Sequence, residues 1–205
     1  MMKNWEEKIK PILKETVETI VFVVVMVIII KFFIGEIRWI PSGSMKPTLV
    51  EGDRIFVERF SRFYSEPQRG DVIVFYPPFE TLDSSALGIF RRLTGFWCKD
   101  IAYIKRVVGM PGDKVEIKPD KNGAYTVFIN DSALKENYIM SEYDYLPCSK
   151  DMYCGPFVVP ENEYFMLGDN RGNSQDSRFW GFLPKERVIG KAVLLFWPFT
   201  RIKNL

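Results

Sequence analysis

The sequence predicts a mainly β fold: one N-terminal transmembrane helix followed by a domain of antiparallel strands. Three observations predict it. The chain from Val17 to Ile34 is apolar except for Glu18, Thr19 and Lys31, long enough to span a bilayer. Six later runs are rich in β-branched and aromatic residues and lack helical patterns between them. Gly-Asp pairs introduce several of those runs, as turns that launch strands do.

The span comes first. Eighteen helical residues cover roughly 27 Å, close to the thickness of a bilayer's hydrocarbon layer. Glu18 and Lys31 lie near its ends, where a charge reaches the interface cheaply. A cleavable signal peptide fits poorly, because cleavage sites want small residues and the first alanine is Ala86. Lys3, Lys8, Lys10 and Lys14 precede the span, against Arg38, Lys46 and Arg54 after it, which orients the N-terminus toward the cytoplasm. The organisation expected is a cytoplasmic segment over 1–16, an anchor over 17–35 and an extracytoplasmic domain over 36–205, with an insertion over about 78–100.

The expected strands are 54–60, 71–76, 101–108, 114–118, 125–129 and 188–197. Gly52-Asp53, Gly70-Asp71, Gly112-Asp113 and Gly168-Asp169 read as turns, since glycine supplies unusual φ and aspartate bonds its own backbone. The insertion stands apart. Leu87, Ile89, Phe90, Leu93, Phe96 and Trp97 interleave with Arg91 and Arg92 there. It reads either as an amphipathic piece on the membrane surface or as an ordinary helix or flap packed on the β core.

Cys148 and Cys154 bracket a short polar loop, a sensible place for a disulfide outside the cytoplasm; two structural thiols are the alternative. Cys98 is left over as a buried thiol. A formal net charge of +2 leaves no nucleic-acid footprint.

The chain contains no histidine. That removes the Ser-His-Asp triad, Cys-His proteases and nearly all zinc hydrolase sites. A serine nucleophile would need another base, and a lysine held neutral is the best-known substitute. Ser44 has a suitable setting in Pro41-Ser42-Gly43-Ser44-Met45-Lys46-Pro47-Thr48, where glycine permits a sharp turn and two prolines stiffen the flanks. Ser-Gly-Ser also occurs in plain linkers, but Trp39, Ile40 and Met45 around it suggest burial. Among the lysines, Lys105 sits in the strand-like Tyr103-Ile-Lys-Arg-Val-Val108. Burial lowers a lysine pKa by up to about 3–5 units, which brings a neutral amine into working range. The alternative is a Lys-Arg pair on a solvated strand face.

Pro41-Ser-Gly-Ser-Met-Lys-Pro-Thr48, Tyr103-Ile-Lys-Arg-Val-Val-Gly-Met-Pro-Gly-Asp113 and Gly168-Asp-Asn-Arg-Gly-Asn-Ser-Gln-Asp-Ser-Arg178 resemble, in order, the motifs of bacterial type I signal peptidases. These are membrane-anchored Ser-Lys endopeptidases with a catalytic β domain, and the resemblance runs from about residue 17 to the C-terminus. It implies Ser44 as nucleophile, Lys105 as general base and later acid, and the Ser42 hydroxyl with the Ser44 N–H as oxyanion donors. Ser174 would orient the lysine amine, and Asp176 and Arg178 would form a supporting ion pair. Ile40, Pro41, Met45, Leu49, Tyr103 and Ile104 would line shallow apolar pockets for small residues, the Ala-x-Ala rule. No cofactor or metal is implied.

The partners implied are secretory precursors bearing signal peptides and the lipid bilayer, with a monomeric enzyme in the bacterial inner membrane. Lys46 and Gly172 depart mildly from the family pattern, and 79–98 has no counterpart in it. Other readings are an inactive anchored binder of secreted segments, a peptidase for one precursor class such as pilins, and a self-cleaving Ser-Lys regulator. The last would carry a DNA-binding region where this chain carries a span.

Overall fold

In the computed structural model, the structure described covers residues 2–94, 100–139, 145 and 147–205. Cys98, Phe96 and Trp97 lie outside them. Helix α1 runs over Met2–Ile29 and continues as a π turn, Ile30–Ile34. It begins well ahead of the expected span. Lys14 and Glu18 pair across one turn at 3.8 Å, as residues four apart on a helix can. The hydroxyls of Thr16 and Thr19 donate back to the carbonyls of Ile12 and Glu15, which lets both side chains sit inside a helix. The apolar stretch of the helix, Ile9–Ile34, has the length and hydropathy to cross a membrane, and none of it is buried by the rest of the chain.

The chain leaves the π turn directly into β1 (Gly35–Trp39) and continues through β2 (Arg54–Glu58), β3 (Val72–Phe75) and β4 (Tyr103–Gly109). Between β3 and β4 lies helix α2 (Ala86–Thr94). Then follow β5 (Lys114–Pro119), β6 (Tyr125–Ile129), β7 (Ser132–Ala133), β8 (Phe157–Val158) and β9 (Glu163–Leu167). The single turn α3 (Ser177–Trp180) leads to β10 (Leu183–Pro184), β11 (Val188–Trp197) and β12 (Lys203–Asn204). All pairings among these strands are antiparallel. One sheet has the order β1-β2-β11-β3-β4-β9-β10, with β12 on β11, and a second has the order β7-β6-β5-β8.

All six expected strands form, within a residue or two at their ends. β1 and β9 were not expected. β9 is buried from Tyr164 to Leu167, so it lacks the polar-apolar alternation that marks a half-exposed strand.

Three of the Gly-Asp pairs share one kind of turn. Gly52, Gly70 and Gly112 adopt positive φ of 91°, 94° and 81°, where a Cβ is strained. The following aspartates accept from the amide three residues back: Val50 to Asp53 (2.8 Å), Gln68 to Asp71 (2.9 Å) and Met110 to Asp113 (2.6 Å). Gly168 leads into the loop of the third motif, where a Cβ would stand 2.2 Å from Ser174 Oγ and 2.5 Å from the Ser44 carbonyl oxygen. Only hydrogen fits between the third motif and the first.

The core has three clusters. Ile40, Met45, Leu49, Ile55 and Val57 belong to one under the β1–β2–β11 part of the large sheet. Val115, Ile117, Val127 and Phe165 join the small sheet to β9. Ile73, Phe75, Val107 and Met166 fill the space across β3, β4 and β9. Strand β4 is therefore buried beyond its first residue, and that burial places Lys105.

Candidate active site

Ser44 sits at the centre of a one-turn 3-10 segment, Gly43–Met45, between β1 and β2. The turn closes through Lys46 N–H to the Gly43 carbonyl (3.1 Å), and Leu49 N–H bonds the Met45 carbonyl (2.9 Å). The third motif clamps it from the other side. Asn170 donates its backbone N–H to the Ser44 carbonyl (3.1 Å) and its side-chain amide to the Gly43 carbonyl (3.1 Å). Met45, which ends the turn, and Leu49 one turn further on have no exposed surface, so the turn is held above a packed floor.

Lys105 reaches that turn from β4. Its Nζ lies 2.8 Å from Ser44 Oγ and also donates to the Ile104 carbonyl at 2.9 Å. The residue is 4% exposed. Loss of water around the ammonium pushes its pKa down to about 8, against the opposing pull of the Asp176 and Asp169 carboxylates. Its neighbour Arg106 is buried too, which overturns the solvated-strand alternative. Both faces of β4 are covered, so neither cation reaches open water.

Two buried ion pairs frame the dyad. Arg106 grips Asp169 with Nε to Oδ1 (2.8 Å) and a terminal nitrogen to Oδ2 (2.6 Å). The Thr48 hydroxyl, from the first motif, donates to the same carboxylate. One charge pair thus ties all three motifs together. Asp176 accepts from Arg178 at 2.8 and 2.9 Å and from the Gly168 N–H at 3.1 Å. Farther out, Arg171 is fully buried and pairs bidentately with Glu136, which also accepts from the Tyr138 and Tyr145 hydroxyls.

The sequence-selected residues fall as follows. Ser44 and Lys105 come together across 61 positions. Asp176 and Arg178 form the expected ion pair. Ser42 lies extended and exposed beside Ser44. Ser174 is a correction: it is buried, but its Oγ has no hydrogen-bond partner and does not bond the lysine amine, which uses the Ile104 carbonyl instead. Its Oγ packs against the Gly168 backbone.

The expected pocket walls divide. Ile40, Met45, Leu49 and Ile104 are buried in the core, whereas Pro41 is exposed and Tyr103 half-buried. The first four therefore form a floor, and only Pro41 and Tyr103 reach the surface. Cys148 and Cys154 are joined as a disulfide.

Sequence reasoning missed Asp169, Asn170, Arg106 and Thr48. All four stand inside the three motifs, so motif membership was the available signal. It missed Glu136 as well, which carries none.

A cavity of about 860 Å³ opens elsewhere, lined by Phe63, Tyr64, Ile73, Lys185, Val188 and Lys191 among others. It shares no residue with the Ser44–Lys105 pair. Chemistry belongs where a desolvated amine meets a hydroxyl, and that is not in the larger cavity.

Known proteins resemble this chain over most of its length. Residues 13–197 match the family described as Signal peptidase, peptidase S26. The chain is 41% identical over 193 residues to signal peptidase I of Leptolyngbya laminosa, covering 94% of this chain and 84% of that one. It is 33% identical over 233 residues to signal peptidase I of Aquifex aeolicus, covering 90% and 84%. It is 32% identical over 201 residues to thylakoidal processing peptidase 1 of Arabidopsis thaliana, covering 98% of this chain and 53% of that one. The chain belongs to the peptidase S26 family, the signal peptidases, and is by that membership a serine-type peptidase.

Proposed function

We propose that the chain cleaves signal peptides from secretory precursors through a Ser44–Lys105 dyad and an acyl-enzyme. The observation that carries this reading is the 2.8 Å approach of a desolvated amine to the Ser44 hydroxyl. With a pKa of about 8, roughly a quarter of the amines are neutral near pH 7.5. A neutral Nζ accepts the Ser44 proton as Oγ attacks the scissile carbonyl carbon. The charge that develops on the carbonyl oxygen is met by the Ser44 N–H and the Ser42 hydroxyl. Lys105 then returns the proton to the departing amine nitrogen, leaving an ester on Ser44. Water attacks that ester while Lys105 takes its proton, and Lys105 returns the proton to Oγ as the acyl–Oγ bond breaks, regenerating Ser44.

Specificity for small residues follows from the closed floor. Met45 and Leu49 are packed without exposed surface, and a closed floor of that kind would admit a methyl group and reject a bulky side chain. Helix α1 anchors the enzyme, with its N-terminus in the cytoplasm and the β domain across the membrane. The bonded Cys148–Cys154 pair supports an oxidising compartment for that domain. The cell membrane is the site we favour. The thylakoidal relative makes an internal membrane, with the domain on its lumenal side, the other location to examine by fractionation.

The test uses the full chain in detergent or vesicles with a radiolabelled precursor. Ser44→Ala and Lys105→Met are expected to abolish processing, while Ser44→Cys, with its more acidic thiol, retains some. Processing by Lys105→Met at the native rate would refute the dyad.

A further inference from the structure

Helix α2 is amphipathic, and it is turned inside out for a helix on a soluble domain. At about 100° per residue, Ala86, Leu87, Ile89 and Phe90 share one side of it. Such a stripe ordinarily faces the core, with the polar side in water. Here the apolar side is the open one: Leu87, Ile89 and Phe90 are 55%, 45% and 49% exposed. The helix is held by Gly88 and Arg92 on its opposite side and by the buried Thr94 at its C-terminal end. Gly88 is buried against Asp83, where a Cβ would come within 2.4 Å of the carboxyl carbon. Arg92 donates to the Asp83 carbonyl (2.7 Å) and pairs with Asp100 (3.3 Å). At Leu87, Ile89 and Phe90, then, the helix does not pack on the β core.

Its position supplies the explanation. α2 packs on the Ile30–Ile34 turn that ends the apolar helix. Arg59, itself buried, bonds the carbonyl of Arg92 (3.1 Å) in α2 and the carbonyl of Lys31 (3.4 Å) in that turn. The apolar stretch Ile9–Ile34 has 26 residues. That is about 39 Å of helix, more than a hydrocarbon layer of about 30 Å needs. Lys10, Lys14, Glu15 and Glu18 place the excess at the N-terminal end, so the Ile30–Ile34 turn lies at the edge of the hydrocarbon layer, and α2 is fixed beside it at the same level.

We propose that α2 is a second membrane contact, lying in the interface with Leu87, Ile89 and Phe90 dipped into the bilayer on the side of the β domain. Exposed apolar side chains at that depth gain by entering the acyl boundary, and the continuity of α2 with the span selects lipid as the occupant. Two attachments, one spanning and one lying flat, fix the tilt of the β domain against the membrane. This inference rests on Ile9–Ile34 being a span and not on the peptidase chemistry.

Nitroxide labels test it on the full chain in phosphatidylcholine–phosphatidylglycerol vesicles, with Cys98→Ser removing the third thiol. Labels are placed singly through Leu87→Cys and Phe90→Cys, with Val24→Cys in the span and Asn122→Cys on an exposed turn as references. Collisions with oxygen, which concentrates in lipid, are compared with collisions with an aqueous nickel chelate. The proposal expects the oxygen-to-nickel ratio at 87 and 90 to lie between that of Val24 at mid-span and that of Asn122, and well above the latter.

Ratios at 87 and 90 like that of Asn122, with Val24 still lipid-like, would overturn it and leave the span intact. Protection from both reagents in vesicles and detergent alike would mean a protein partner or a second copy, and would also overturn it. A water-like Val24 would remove the span and the inference with it.

Discussion

Asp176 acts on Lys105 without touching it. The carboxylate is fully buried and bonded to Arg178 and to the Gly168 amide. Burial is the largest influence on the Lys105 pKa and lowers it, and the Asp176 charge is the strongest influence opposing that fall. The site therefore balances two opposed effects on one amine. In the proposed mechanism burial makes a base available near neutral pH, and a distant carboxylate keeps that base strong enough to accept a proton.

The first prediction concerns the pH dependence of cleavage. Only the neutral amine accepts the Ser44 proton, so kcat/KM should rise with pH along a limb whose midpoint lies near 8. Lys105→Arg keeps the charge but cannot lose it in this range, because guanidinium stays protonated. Its activity should be absent across the whole profile. A flat profile from mildly acid to alkaline pH in the unsubstituted enzyme would contradict the assignment.

Asp176→Asn separates the electrostatic role from the structural one. Removing the negative charge disfavours the ammonium, so the rising limb should move to lower pH. At the same time Arg178 loses its buried counter-charge, at a cost of about 3–5 kcal/mol to stability. A variant that loses stability but keeps the midpoint of its pH profile would show that Asp176 only holds the fold.

The six strands rich in Val, Ile, Phe and Tyr were legible because β-branched and aromatic runs between turn signals leave few alternatives. β9 was not, since Tyr164-Phe-Met-Leu167 is covered on both faces and shows no period. β1 follows the span so closely that its Glu36-Ile-Arg-Trp39 pattern has no turn ahead of it. The dyad became legible through motif order, and the missing histidine sharpened it. Local spacing says nothing of 61 residues closing to 2.8 Å.

The supporting contacts were harder. Asp169 was read as one more turn aspartate, like Asp53, Asp71 and Asp113, and only the fold shows it spent on Arg106 and Thr48. Glu136 lies in a polar stretch, and nothing local marks it as the partner of a buried arginine. The inverted α2 was undecidable from the sequence, because a helical wheel finds an apolar side but not what faces it.

Gly168 is predicted to be intolerant of the smallest side chain. Its φ is not positive, so the constraint is space and not backbone conformation. A methyl group would fall 2.2 Å from Ser174 Oγ and 2.5 Å from the Ser44 carbonyl oxygen. Gly168→Ala should destabilise the domain by about 1–3 kcal/mol through overpacking and displace the Ser44 turn. Precursor cleavage should drop by more than the stability loss explains. Thermal denaturation and processing assays on the same preparation read the two effects separately, and native activity in Gly168→Ala would mean the turn can yield.

The last prediction turns the buried lysine into a stability measurement. Lys105 has a folded-state pKa of about 8 against an ordinary value of 10.5. Below pH 8 the folded protein carries a buried ammonium, and the full penalty of about 3 kcal/mol is present. As pH rises from 8 toward 10.5 the folded state sheds the proton before the unfolded chain does, so stability increases through that window. Lys105→Met has no proton to lose. Its stability advantage over the unsubstituted chain should be largest near neutral pH and shrink steadily above pH 8. Melting temperatures of both proteins in the same detergent, from neutral to strongly alkaline pH, measure the difference. A gap that stays constant across this range would mean that the amine titrates alike in the folded and unfolded chains, at its ordinary value of 10.5, which leaves almost no neutral base at the pH of cleavage.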